Sequence, residues 1–101
     1  MTQNNTELTL TEEAGQDLQE LKDDHSKIAA AKAVIKSLKF MVDNLKHPSL
    51  HTHKYNELTG PDGEEIFESY AQNHTSGAYR IFWYYGPGKK EVTVVAMTPH
   101  P

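Results

Sequence analysis

The chemistry open to this chain is set first by an absence. None of its 101 residues is a cysteine, which excludes disulfides, thiolate zinc sites and thiol nucleophiles. Catalysis must therefore use imidazole, carboxylate, ammonium, guanidinium or hydroxyl groups. Three histidines stand close together as His47, His51 and His53. An extended His-x-His segment can set two imidazoles on one face, as a zinc or nickel site would need. No nearby Asp or Cys completes a recognised ligand set, so no metal or other cofactor is assigned. A second candidate is the run Tyr79-Arg80-Ile81-Phe82-Trp83-Tyr84-Tyr85. Its aromatics could stack nucleic-acid bases, although such a strand also serves as half core and half cover. Phosphate loops (Gly-x-x-x-x-Gly-Lys), dinucleotide turns (Gly-x-Gly-x-x-Gly) and nucleophile elbows (Gly-x-Ser-x-Gly) are all missing, which removes nucleotide hydrolysis and serine esterase chemistry.

These groups must be positioned by a single small domain, since 11.4 kDa with 37% apolar residues supports only one short core. Residues 1–6 are expected to be disordered and 7–101 to form the domain. Glu7-Leu8-Thr9-Leu10 alternates like a short strand, and Thr11 is suited to cap the helix that follows. Ala14, Leu18 and Leu21 recur at helical spacing, with an interruption near Asp23-Asp24-His25-Ser26. Ser26 is expected to cap a second helix, ended by Pro48, with Ile28, Ala31, Ile35, Leu38, Val42 and Leu45 as its buried stripe. Beyond it the composition changes, because eight of the nine aromatics lie at or after Tyr55. Residues 64–71, 79–85 and 91–97 read as strands, separated by turn-rich segments at 72–77 and 86–89. Pro99 and Pro101 stop the last of them. The expected fold is α+β with order β-α-α-β-β-β: a three- or four-stranded, mainly antiparallel sheet carrying a helical hairpin on one face.

The net charge of −4 argues against a general nucleic-acid binder. It hides a pattern, however. Residues 1–26 carry a net −6, residues 27–54 a net +5 and residues 55–101 a net −3, so the middle is a basic band. No apolar run approaches the roughly 18 residues needed to cross a bilayer, and the start lacks the features of a signal peptide. A cytoplasmic protein without membrane contact is expected.

Three stretches resemble the RelE/ParE superfamily of toxins from type II toxin-antitoxin systems. They are the connector His47-Pro48-Ser49-Leu50 with Lys54-Tyr55-Asn56-Glu57-Leu58-Thr59-Gly60, the run Gly77-Ala78-Tyr79-Arg80-Ile81-Phe82-Trp83-Tyr84, and the closing Val92-Thr93-Val94-Val95-Ala96-Met97. The resemblance implies the β-α-α-β-β-β fold, a cognate antitoxin as partner, and one of two activities. RelE-like members are ribosome-dependent mRNA endoribonucleases needing no metal; ParE-like members poison DNA gyrase without cutting.

For the nuclease, the resemblance implies site residues. Lys54 lies in a segment that carries basic active-site groups, and Arg80 matches a strand arginine whose planar fork can hold phosphate oxygens. His100 falls where relatives place a terminal His or Tyr, a natural neutral-pH acid or base. Glu68 could be a base if it faces the same side. Ordinary alternatives stand beside each: Arg80 in an ion pair with Glu65 or Glu68 on the adjacent strand, Lys54 as a solvated loop residue, and His100 in a frayed terminus. One departure matters. Where RelE-like nucleases have a basic strand, this chain has Glu64-Glu65-Ile66-Phe67-Glu68-Ser69-Tyr70, which would repel RNA and favours a non-catalytic interaction module.

Overall fold

A computed structural model describes residues 6–73 and 75–100. Strand β1 (Glu7–Leu10) leads into helix α1 (Glu12–Asp23) through Thr11, whose hydroxyl oxygen accepts from the Ala14 N–H at 3.1 Å. That is the expected cap, satisfying one of the donors a helix start leaves free. The expected interruption is a single 3-10 turn (His25–Lys27) before helix α2 (Ile28–Asp43). Here the structure differs in detail: Ser26 does not cap α2 but donates its N–H and Oγ–H to Asp24 Oδ1 at 2.9 and 2.6 Å. Nor does α2 run to Pro48. Asn44 closes it by donating to the Phe40 carbonyl at 2.7 Å and then accepts from the Lys46 N–H through its side chain, the local competition with helix that Asn offers.

The buried line of α2 is Ala30, Ala31, Val34, Ser37 and Met41, rotated from the expected stripe, so that Ile28 is exposed and Ile35 and Leu38 lie half-buried at its margin. The helix packs on both α1 and the sheet, and its buried line includes the small residues Ala30, Ala31 and Ser37. Ser37 tolerates burial because its hydroxyl reaches the Tyr70 carbonyl at 3.4 Å.

Strands β2 (His53–Thr59), β3 (Glu65–Tyr70), β4 (Tyr79–Tyr85) and β5 (Glu91–Pro99) complete a five-stranded sheet of order β1-β5-β4-β3-β2. Only β1 and β5 run parallel. The α+β class, the two helices on one face and the antiparallel succession after them are as expected. The sheet has one strand more. The additional strand is β2, formed by residues expected to be connector; it is an edge strand, exposed along most of its length, and so has no apolar alternation to announce it. Beneath the helices the core gathers around Val34, Met41, Leu50, Ile81, Trp83 and Met97.

Disorder was expected over residues 1–6; of these, 1–5 lie outside the described residues, as do His74 and Pro101, and residue 6 departs from the expectation. Thr6 is buried, its N–H donating to the Val42 carbonyl at 2.8 Å. Among the described residues no helix is long and apolar enough to cross a membrane.

Candidate functional site on the uncovered sheet face

Strand register decides which side chains can meet. Paired residues share a face and neighbours along a strand alternate. Phe67 pairs with Trp83 and Lys54 with Phe67, whereas Glu68 pairs with both Phe82 and His53, and Tyr70 with Arg80. Phe67, Trp83 and Lys54 therefore belong to the helix-covered face. His53, Glu68, Tyr70, Arg80 and Phe82 belong to the other.

Glu68 is the centre of that second face, only 4% exposed. Its Oε1 bonds His53 Nε2 at 2.8 Å. Its Oε2 forms ion pairs with Arg80 Nε at 3.6 Å, the pairing raised from the sequence as an ordinary alternative, and, when the imidazole is protonated, with His100 Nδ1 at 3.8 Å; both lie beyond hydrogen-bonding distance, and neither Oε2 nor Arg80 Nε makes a hydrogen bond. Arg80 is itself 7% exposed. One terminal nitrogen donates to the carbonyls of Gln72 at 2.6 Å and Tyr79 at 3.5 Å, and the guanidinium carbon sits 3.7 Å from the centre of the Tyr70 ring, a desolvated cation–π contact. His100 is held by the backbone, its N–H donating to the Ala78 carbonyl at 2.7 Å, while its side chain is half exposed.

Three of the four sequence candidates, Glu68, Arg80 and His100, are thus brought together. Lys54 is not. It lies on the opposite face in an exposed pair with Glu65 at 3.2 Å. The histidine trio also separates. His47 stacks on Phe40, ring centres 4.0 Å apart, and its Nδ1 accepts from the Ser49 N–H; His51 leans on Tyr70; His53 turns to Glu68. Among the described residues no group of three His, Asp or Glu side chains is arranged to hold a metal.

His53 and Tyr70 are the site residues that sequence reasoning missed in this role. The His51 carbonyl can only accept, so His53 Nδ1 carries the proton of their 2.9 Å contact. The Nε2–Oε1 contact needs a second proton, carried by the imidazole or by the carboxyl group. The strand pairing of His53 with Glu68 is the signal, and it appears only once β2 is recognised as a strand.

A helical pair on one face of a mainly antiparallel sheet is the α+β fold that the sequence resemblance implied, with five strands where three or four were expected. Solved structures of the same fold include a YoeB/ParE toxin from Agrobacterium tumefaciens, at a TM-score of 0.68 and 9% identity over 95% of this chain and 100% of that one. The archaeal RelE-RelB complex from Pyrococcus horikoshii OT3 matches at 0.63 and 11% over 94% of each chain, and the YoeB dimer from Staphylococcus aureus at 0.61 and 14% over 96% and 99%. No protein-family model and no curated protein matches the chain. The RelE/ParE resemblance therefore holds for the fold.

Proposed function

We propose that this chain is a toxin-like component of a type II toxin-antitoxin pair, acting in the cytoplasm as a metal-independent endoribonuclease on ribosome-bound mRNA. The observation that carries the reading is the convergence of Arg80, Glu68 and His100 on the uncovered face of a scaffold shared with RelE, ParE and YoeB toxins. In the reaction, the 2′-hydroxyl attacks the adjacent phosphorus and the 5′-oxygen departs. A neutral-pH imidazole moves a proton, and a guanidinium stabilises the phosphorane charge. His100 is half exposed and suits the first task; Arg80 supplies the positive charge of the second.

A solved relative is a complex of RelE with RelB, and an antitoxin is the partner proposed here. The exposed lysines Lys32, Lys36 and Lys39 of α2 would suit an acidic antitoxin segment.

One observation favours a second reading. The Arg80 guanidinium is buried and already engaged with two carbonyls and Tyr70, and Lys54 faces away from it, as in a non-cutting member of the fold that poisons gyrase or serves only as an interaction module. Inducing the protein without its neighbouring gene separates these. The nuclease arrests translation with mRNA cut inside ribosomes; a gyrase poison raises the DNA-damage response instead; a module does neither.

A further inference from the structure

A buried carboxylate oxygen left without a hydrogen bond is not repaid for its lost hydration. It persists where something else holds it in place. Glu68 Oε2 is such an atom, and its position is fixed from the other side by the His53–Oε1 bond at 2.8 Å. Two donors stand just out of reach, Arg80 Nε at 3.6 Å and His100 Nδ1 at 3.8 Å. The arginine is immobilised by the Gln72 and Tyr79 carbonyls and the Tyr70 ring. The imidazole is half exposed, on a residue whose backbone N–H is tied to Ala78 just before β4, so it is the donor freer to approach.

Resting on the ribonuclease reading above, we infer that Glu68 is a positioning carboxylate for His100, accepting the Nδ1–H at Oε2 when RNA occupies the face, rather than the base itself. At 4% exposure Glu68 cannot reach a substrate hydroxyl. Holding Nδ1 protonated leaves His100 Nε2 as the unprotonated atom turned outward. Nε2 takes the proton of the 2′-hydroxyl as the new O–P bond forms. The P–O5′ bond breaks with its electron pair going to O5′, which takes a proton from water. A 2′,3′-cyclic phosphate and a 5′-hydroxyl result, and the imidazolium returns its proton to solvent. Glu68 steadies that imidazolium, and His53 keeps the carboxylate aimed.

The groups facing the pair are His53 from β2, Tyr70 from β3 and Arg80 from β4, with His51 beside Tyr70. Glu68→Gln keeps the shape and removes the charge. In the full-length protein, with ribosome-bound mRNA as substrate, it is expected to lower kcat by about tenfold to a hundredfold. His100→Ala is expected to lower it by about a hundredfold to ten-thousandfold. The ascending limb of the pH–rate profile should move to lower pH in Glu68→Gln, because the amide no longer stabilises the imidazolium.

NMR supplies a readout independent of cleavage. The His100 imidazole of the free protein should titrate at lower pH in Glu68→Gln, and in the parent bound to a 2′-O-methyl RNA it should be the Nδ1–H tautomer, a measurement that needs no variant to fold. A lost rate with an unmoved limb and an unmoved His100 titration would make Glu68 merely structural and overturn the inference. An Nε2–H tautomer, or a titration change confined to His53, would overturn it too. A parent that cuts no RNA brings down the ribonuclease reading, while the His100 titration still decides whether the two groups are coupled.

Discussion

Adjacent residues of β3 place one buried polar group on each face of the sheet, and the two faces treat them oppositely. On the helix-covered face Ser69, fully buried, accepts from Trp83 Nε1 at 2.9 Å and shares a 2.7 Å hydrogen bond with the Thr52 hydroxyl. Phe67 stacks on the same indole, ring centres 5.0 Å apart. On the uncovered face Glu68 is nearly as buried, yet one carboxylate oxygen and the neighbouring Arg80 Nε, an ion pair at 3.6 Å, make no hydrogen bond. The first arrangement is what stability alone would select. The second is unfinished, and its exposed members are two histidines. A fold that satisfies polar atoms fully on one face and leaves them waiting on the other has separated the task of holding itself together from the task of meeting a ligand.

Substitutions should reproduce that asymmetry. Trp83→Ala removes the largest fully buried side chain and the donor to Ser69. It is expected to lower unfolding free energy by about 3–5 kcal/mol, read from urea denaturation, which for a domain of this size removes much of the total. Glu68→Gln, one residue away from the Ser69 hub, should cost less, about 1–3 kcal/mol, because the amide keeps the side chain's shape while the counter-charge 3.6 Å from Arg80 Nε is lost. A loss as large as that of Trp83→Ala would show that both faces are structural, and the comparison would break. Lys54→Ala should be smaller still. Its pair with Glu65 joins side chains 60% and 63% exposed, worth less than about 1 kcal/mol. Since Lys54 sits on the helix-covered side of β2, cleavage should stay within a few-fold of the parent; its abolition would mean that the strand works through both faces.

What the sequence disclosed follows the same division. The helix-covered face was legible because burial writes a periodicity: Thr11 before the α1 spacing, and β-formers at alternating positions in residues 64–71 and 79–85. The rotation of α2 was less so, since Ala30 and Val34 are weaker signals than Ile28 or Leu38. The uncovered face depends on pairings between distant residues. His53 meets Glu68 only through the β2–β3 register, and β2 is a solvent-washed edge. The register sets His53, and not its neighbour Lys54, opposite Glu68; Lys54 was expected from the family resemblance alone, which carries no pairing. The β1–β5 pairing joins Glu7 to Glu91, a long-range contact that no local pattern encodes.

The smallest effect expected concerns the far end of the covered face, where the turn between the helices is fastened to β4. Lys27 Nζ donates to the Tyr79 hydroxyl at 3.1 Å, and this bond, with the phenol's charge beside it, raises the lysine above its ordinary 10.5. Asp24, accepting from the Ser26 hydroxyl and N–H, is lowered below its ordinary 3.8, the hydroxyl bond contributing most. The signs give opposite windows. The raised Lys27 contributes stability fully present below about 10.5, lost as pH rises through its higher folded value. The lowered Asp24 contributes stability present above about 3.8, lost as pH falls through its lower folded value. Lys27 is exposed and Asp24 partly so, and both lie at the surface, so each effect is small and screened by salt. Lys27→Met should flatten the alkaline decline in denaturation midpoint and leave the acid side unchanged, while Asp24→Ala should flatten only the acid decline. A Lys27→Met protein that loses stability equally at every pH would show that its contact with Tyr79 is packing of the aliphatic stem against the ring, and the end of the covered face would then be held by shape and not by charge.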